Sequence, residues 1–412
     1  MKKDKVVSLE SRIEGESRSA LDELVREGAR KMLQDAIENE VAEYLERHGE
    51  VKDDQGRQAV VRNGSMPGRT LVTGAGPLPI RQPRVRDRRE DHRFTSAILP
   101  PYLRRTPSVD ALIPALYLKG ISTGDFTTAL EAILGENASG LSATNIVRLK
   151  QGWEEEYKEW SRRDLSGKRY VYWWADGIYF NVRLEDERTC MLVLMGTLGD
   201  GTKELIAVLD GFRESKDSWT ELMRDLKRRG LKDGPKLAVG DGALGFWAAL
   251  REMFPQAQEQ RCWIHKTANV LDKMPKSLQA KAKSMIHEMY LAPTRKDALA
   301  AFDVFLETFE AKYPKASECL TKDKDVLFTF YDFPAEHWQH IRSTNPIEST
   351  FATVRHRTRR TKGCGSRTAT LTMVFKLARE AEKHWRRING YAQIVHILEG
   401  KKFVDGELKQ AA

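Results

Sequence analysis

Apolar residues recur at three- and four-residue steps from Ser19 to His48: Leu21, Leu24, Val25, Met32, Leu33, Ile37, Val41 and Leu45, with Gly49 at the stop. That spacing predicts one long amphipathic helix, whose stripe is to be buried either in the chain's own domain or on a partner chain. From Gln55 to Arg105 the texture changes to short β-prone runs broken by Gly and Pro. Asn63-Gly64 predicts a hairpin turn, and Gly74-Ala75-Gly76-Pro77 separates Leu71-Val72 from Leu78 and Ile80. Val109 to Lys150 reads as helical with short breaks. Ser122-Thr-Gly-Asp125 supplies a hydroxyl cap with an acid three residues on, and Leu130, Ile133 and Leu134 are the inner face of the helix it opens. After a turn from Gly135 to Gly140, Ser142 caps a second short helix, with Ile146, Val147 and Leu149 inward and Asn145, Arg148 and Lys150 outward. Such a pair is either a DNA-binding helix-turn-helix or an ordinary helical hairpin.

The texture changes again at Tyr170-Val-Tyr-Trp-Trp-Ala-Asp176-Gly-Ile-Tyr-Phe180, whose near-continuous apolar composition predicts a strand buried on both faces. Strands at Met191–Thr197 and Leu205–Leu209 follow, joined by a tight turn at Gly199-Asp200-Gly201 and therefore antiparallel. A helix from Ser218 to Arg229 precedes the short strand Lys236–Gly240, which ends at Asp241. Phe246, Trp247, Leu250 and Phe254 mark another helix, and Gln258–Trp263 a further strand. Three antiparallel strands, a helix and a strand ending in an acid describe the ribonuclease-H-like order. Met274 to about His340 is purely helical, an insertion before Ser343-Thr-Asn-Pro-Ile-Glu348-Ser-Thr-Phe351. There Asn345 is the natural cap, Pro346 suits the first helical position, and Glu348 falls in the first turn. A last helix, Ala369–Ile388, packs back on the sheet, and the tail beyond Gly400 reads as frayed.

At 412 residues the chain exceeds one core. The expected fold is multidomain α+β and α/β. An N-terminal helical, dimerising region (1–52) leads to a small basic β-rich region (53–107) and a helix-turn-helix-like region (108–165). A mixed ribonuclease-H-like sheet follows in two parts (166–272 and 342–400), interrupted by an all-α insertion (273–341), with a tail (401–412). Hydrophobic content of 41% excludes a disordered chain, and no apolar run approaches a membrane span. The start Met-Lys-Lys-Asp-Lys lacks the apolar core of a signal peptide, so a cytoplasmic protein is expected. Four scattered cysteines fit a reduced compartment, and Cys262 with His265 cannot complete a tetrahedral zinc site.

A net charge of +9 directs attention to where the cations lie. Arginines crowd the second region, Arg84 and Arg86 among them, either as a solvated loop or as phosphate contacts. Arg355, Arg357, Arg359, Arg360, Lys362 and Arg367 follow Glu348 with no acid among them. Asp176, a lone carboxylate in an apolar strand, is costly to bury. It is either a strand-end Asp beside a turn or a carboxylate set against something positive. In a ribonuclease-H-like sheet the first strand lies beside the fourth and the last helix crosses both, so Asp176, Asp241 and Glu348 would meet. Carboxylates with substrate phosphates suit Mg²⁺, and two ions about 4 Å apart drive in-line phosphoryl transfer with no side-chain nucleophile. Mn²⁺ is expected to substitute.

At these residues the sequence resembles the Mutator-type bacterial insertion-sequence transposases, a branch of the Asp-Asp-Glu recombinases. The matching stretches are Trp174-Ala-Asp176-Gly, Val239-Gly-Asp241-Gly-Ala-Leu-Gly-Phe-Trp247, Arg261-Cys-Trp-Ile-His265 and Thr344-Asn-Pro-Ile-Glu348-Ser. Arg62-Asn-Gly and Leu118-Lys-Gly-Ile-Ser122 also match, so the resemblance spans nearly the whole chain. It implies that Asp176, Asp241 and Glu348 are the catalytic triad, with Asp176 bridging two Mg²⁺ ions and each other acid holding one. It implies His265 as an active-site neighbour, Cys262 as either a second neighbour or packing, and Arg355 as a grip on DNA near the cut. Trp338, in the insertion, is either a base-stacking residue or core. The partners implied are double-stranded DNA, as element ends and as target, and a second copy of the chain. No membrane or small-molecule substrate is expected. The expected activity is 3′-end nicking at terminal inverted repeats followed by strand transfer. A nuclease without strand transfer and a non-catalytic regulator are the alternatives.

Overall fold

The computed structural model describes residues 9–90, 92–119, 121, 126–134, 143–180, 189–211, 213–242, 244–361 and 366–409. The chain forms two compact units, Met1–Leu149 and Lys150–Ala412. In the first, helix α1 (Leu9–Arg47) precedes strands β1 (Val60–Ser65), β2 (Arg69–Thr73), β3 (Gly76–Ile80) and β4 (Pro83–Asp87). The strands pair antiparallel as β1 with β4 and β2 with β3. Helices α2 (Pro107–Lys119) and α3 (Phe126–Leu134) follow, and α4 (Ala143–Ser161) carries the chain into the second unit. Ile37 packs with Leu71, Leu78, Ile80 and Leu99, so the C-terminal half of the α1 stripe is buried in its own unit. The N-terminal half is not: Leu24 is 70% and Met32 75% exposed.

The second unit is built on a five-stranded mixed sheet. Its strands are β5 (Tyr170–Phe180), β6 (Thr189–Leu198), β7 (Lys203–Gly211), β8 (Leu237–Gly240) and β9 (Gln258–Arg261), in the order β7-β6-β5-β8-β9. β6 pairs antiparallel with both β5 and β7, whereas β8 and β9 continue parallel to β5. Helices α5 (Lys216–Arg228) and α6 (Leu244–Met253) cover one face, where Trp219, Leu222, Phe246 and Leu250 pack with Trp173 and Ala175. The alternate residues of β5 point the other way. There Tyr172 Oη hydrogen-bonds His337 Nδ1 at 2.7 Å, and Trp174 Nε1 donates to the His340 carbonyl at 2.9 Å. Both faces of β5 are therefore covered, and Asp176 shares the parity of Tyr172 and Trp174.

After β9 come α7 (Trp263–Leu271), α8 (Lys276–Leu291), α9 (Arg295–Phe309), α10 (Pro314–Thr321), α11 (Lys324–Leu327), two 3₁₀ turns and α12 (Trp338–Ile341). No strand interrupts them. The Trp263 amide donates to the Arg342 carbonyl at 3.0 Å, which ties the start of this helical run to its end. α13 (Asn345–Thr361) and α14 (Arg367–Glu382) then return against β5, β6 and β7, and α15 (Ile394–Leu398) follows.

Several local expectations are corrected. Asn63-Gly64 is no hairpin turn: it lies within β1, where Gly64 at φ +71° takes up a register shift against β4. Ile133 is 53% exposed rather than on the inner face of α3, and α4 is 19 residues long rather than short. The caps and turn expected at 122–125 and 135–142 lie outside the described residues. Asn345 is the first helical residue of α13, one position past the cap. The tail is not frayed: β10 (Phe403–Val404) pairs with β11 (Glu407–Leu408) around Asp405-Gly406, both at positive φ, and Phe403 is buried. That Asp-Gly is a two-residue hairpin signal.

Ile37→Ala is expected to cost about 2–5 kcal/mol in denaturant unfolding, and Met32→Ala less than about 0.5 kcal/mol in dilute protein. Comparable losses from both would mean that the exposed part of the α1 stripe is covered in solution.

Candidate active site

The register of the sheet brings two acids side by side. Ala175 on β5 is the parallel partner of Gly240 on β8, and each is followed directly by an acid, Asp176 and Asp241. Asp176 is 6% exposed and its Oδ1 accepts the Gly177 N–H at 2.8 Å. Asp241 leads into Gly242, at φ +93°, where no Cβ fits because the Arg261 guanidinium occupies that position. Arg261 and Lys266 are both buried and share the single carboxylate Asp323, so the ground beneath the Asp241 loop carries excess positive charge.

Glu348 arrives from α13. The wholly buried Thr344 donates its hydroxyl proton to Glu348 Oε1 at 2.6 Å, and its backbone N–H to Cys262 Sγ at 3.3 Å. His265 Nδ1 stands 3.3 Å from the Thr344 oxygen and 3.7 Å from Glu348 Oε1. The Thr344 hydroxyl also lies 3.3 Å from Cys262 Sγ, so it stands between Cys262, His265 and Glu348. The ligand atoms of Cys262, His265 and Glu348 all lie within 4.8 Å of one another. The Cys262 amide in turn donates to the Gly240 carbonyl at 2.8 Å, fastening this group to the strand that ends in Asp241.

The electrostatics are those of a crowded anionic site. Burial first, then the Asp241 charge, pushes Asp176 up to about 7. His265 is lifted to about 9, foremost by its hydrogen bond with Cys262 and further by Glu348 and Asp176. Burial alone would raise the Cys262 thiol, but its hydrogen bonds with His265 hold it below its ordinary value.

A fourth carboxylate, Glu214, belongs to the group and was not singled out from the sequence. Its carboxylate lies where a Cβ at Gly177 would stand, and burial, with Asp241 nearby, pushes it up to about 7. In the sequence it reads only as a polar residue before the Ser215 cap of α5. Arg261 was missed as a candidate for the opposite reason: a lone arginine at a strand end carries no pattern.

The other sequence-predicted residues are dispersed. Arg84 and Arg86 lie exposed at alternate positions of β4, whereas their neighbours Arg88 and Arg89 pair with Asp53 and Asp87. Arg148 is exposed and Lys150 half-buried on α4. Arg355 is exposed two turns past Glu348, over the Phe351 ring. Trp338 is packed against Phe330 and Tyr331, and its Nε1 donates to the Phe333 carbonyl. The side chains of Asn145, Arg357, Arg359 and Arg360, and all of Lys362, lie outside the described residues. Arg367 is met by Asp210 at 2.9 Å, so a protein carboxylate, not phosphate, faces that cation.

An acid thus follows each of two adjacent parallel strands, and a third acid enters on the first turn of α13. Comparison with known proteins names the class. The model of the Mutator family of transposases matches residues 1–388, and the chain belongs to that family. It is 52% identical over 297 residues to the transposase for insertion sequence element IS6120 of Mycolicibacterium smegmatis, covering 72% of this chain and 91% of that protein. The IST2 transposase of Acidithiobacillus ferrooxidans is 50% identical over 285 residues, 68% of this chain and 94% of its own. The ISRM5 transposase of Rhizobium meliloti is 28% identical over 390 residues, 94% of each chain. Among the described residues no helix is long and apolar enough to cross a membrane.

The raised acids set a pH dependence. Folding favours the protonated form of Asp176, so its stabilising contribution is complete below pH about 4 and is lost as pH rises to 7. His265 acts in the same sense higher up, its contribution present below its ordinary value near 6.5 and lost as pH passes 9. Metal-free Asp176→Asn protein, which keeps the acceptor for Gly177, should be more stable than wild type at pH 8 by on the order of 3 kcal/mol. A lower melting temperature of that variant at pH 8 would refute the burial account.

Proposed function

We propose that this transposase cuts and joins DNA by metal-assisted in-line phosphoryl transfer, using Asp176, Asp241 and Glu348 on a ribonuclease-H-like sheet. The observation that carries the reading is the Ala175–Gly240 pairing, which sets Asp176 and Asp241 abreast, with Glu348 joined to the same place through Thr344 and His265. The donor chemistry fits a hard divalent ion. Three carboxylates are oxygen ligands, and a buried Asp176 whose charge is resisted by its surroundings is a group that gains from a cation. Cys262 is the softer alternative donor, but it is wholly buried and its sulfur already accepts the Thr344 N–H.

When bound, a pair of Mg²⁺ ions, or Mn²⁺ in their place, would activate the attacking oxygen and stabilise the leaving one. The chain's own residues hold the geometry. Asp176 is fixed by the strand and the Gly177 amide, Asp241 by the tight turn over Arg261, and Glu348 by the Thr344 hydroxyl. His265, protonated at neutral pH, offers positive charge and a proton beside Glu348 for the scissile phosphate or its leaving oxygen. Arg355, with Arg357, Arg359, Arg360 and Lys362 after it in the sequence, would grip the DNA beside the cut. Arg84 and Arg86 in the first unit, with Asn145, Arg148 and Lys150, would contact the terminal repeats. The same acids serve hydrolysis that frees a 3′-OH and the attack of that hydroxyl on target DNA. The exposed apolar residues of α1, Leu21, Leu24, Val25 and Met32, would offer a second copy the seam that holds two element ends together.

With an end-bearing duplex and Mg²⁺, wild-type protein should yield 3′-end nicks and joined products, and Asp241→Ala neither. Thr344→Val, which removes the hydroxyl donor to Glu348, should lower nicking about 10–100-fold while leaving DNA affinity unchanged. Nicking without any joined product would reduce the activity to that of a nuclease, and full nicking by Asp241→Ala would remove the acids from the chemistry.

A further inference from the structure

A cleft of about 380 Å³ opens at the end of the sheet opposite the acids. It lies where β5 and β8 begin, since its walls include Arg169 and Tyr170 on one side and Lys236 on the other. Asp176 stands six residues further along β5, about 20 Å away at the rise of a strand. Four exposed cations line the cleft, Arg169, Lys227, Lys232 and Lys236, against one acid, Asp233. Cations nearby on and just after α5 have carboxylate partners: Arg228 and Arg229 share Asp225, and Lys216 and Arg224 share Glu252. Among the described residues no carboxylate forms an ion pair with any of the four in the cleft. Lys227 instead lies 4.8 Å over the ring of Phe254, which lines the cleft beside it.

Four like charges held together in a concave site repel one another, an arrangement that an extended polyanion relieves. We infer that this cleft is a second nucleic-acid surface, which takes the phosphodiester backbone of a DNA segment other than the one being cut. A segment lying across the acids at one end of the strands does not also run along them to the other end. Contact through lysines without carboxylate or amide partners reads charge and not sequence, so the segment bound here is recognised irrespective of its bases. The inference rests on the DNA-binding reading of the chain but not on the metal chemistry, and the two fail separately.

The test is duplex binding by the full chain as a function of salt, without metal. Lys227→Ala/Lys232→Ala/Lys236→Ala should lower the slope of log K against log salt by about 2–3, close to 0.9 for each phosphate that is no longer neutralised. Lys296→Ala/Lys312→Ala/Lys315→Ala removes the same charge from exposed positions on the helical insertion and should leave the slope within about 0.5 of wild type. Nicking at saturating DNA with Mg²⁺ should persist in the cleft variant, since the acids are untouched. If the triple variant melts early, Lys232→Ala/Lys236→Ala, both outside the helices, carries the test with an expected drop of about 2. An unchanged slope, or an equal change in both triple variants, overturns the proposal. So does loss of inorganic pyrophosphate binding with the duplex slope intact, which would make the cleft a site for small phosphates.

Discussion

A carboxylate in a strand covered on both faces is the constraint around which the second unit is arranged. Asp176 follows Trp173, Trp174 and Ala175 in β5, all of them almost fully buried. A charge there is expensive, and the surrounding structure does little to neutralise it. Its nearest charged company includes two further acids, Asp241 and Glu214, against which stand His265 and the Gly177 N–H. Acids whose charge is resisted in this way mark a candidate functional site. The cost of Asp176 is carried by the dense packing of aromatic and aliphatic side chains on either side of the strand, with helices α5 and α6 on one face and the α12–α13 segment on the other.

Around that strand, each remaining acid is brought in by a different device. Asp241 comes by register, because β8 pairs in parallel with β5 and ends one residue before it. Glu348 comes by helix phase and by one hydroxyl: Thr344 spans from the α7 side of the cluster to the first turn of α13. Cys262 and His265, three apart at the start of α7, join these two devices, one through the Gly240 carbonyl and the other through Thr344. The family relationship names the process the molecule serves.

Legibility in the sequence followed the strength of periodic signals. The mixed sheet was readable because β5, β6, β7 and β8 are apolar runs bounded by Gly and charged turns, and an Asp closing a short apolar strand stands out. Glu214 left no such trace, for it sits in an irregular loop and reaches the cluster only because residue 177 lacks a side chain. The Asn63-Gly64 pair shows that a two-residue turn signal can be absorbed as a bulge when the flanking strand continues. The equivalent Asp405-Gly406 pair does form its hairpin, which was overlooked because the flanking strands are only two residues each. The α1 stripe misled by its uniformity: one periodic pattern covers both a half buried in its own unit and a half left open.

The single hydrogen bond between the Trp263 amide and the Arg342 carbonyl has a wider meaning. It closes the neck of a detour of nearly eighty residues, so the segment beyond departs and rejoins at practically one point. Loop closure grows only slowly more costly with length. Selection can therefore lengthen, shorten or resurface that detour while β5, β8 and α13 stay where they are, which gives relatives of this chain a place to diverge without disturbing the sheet.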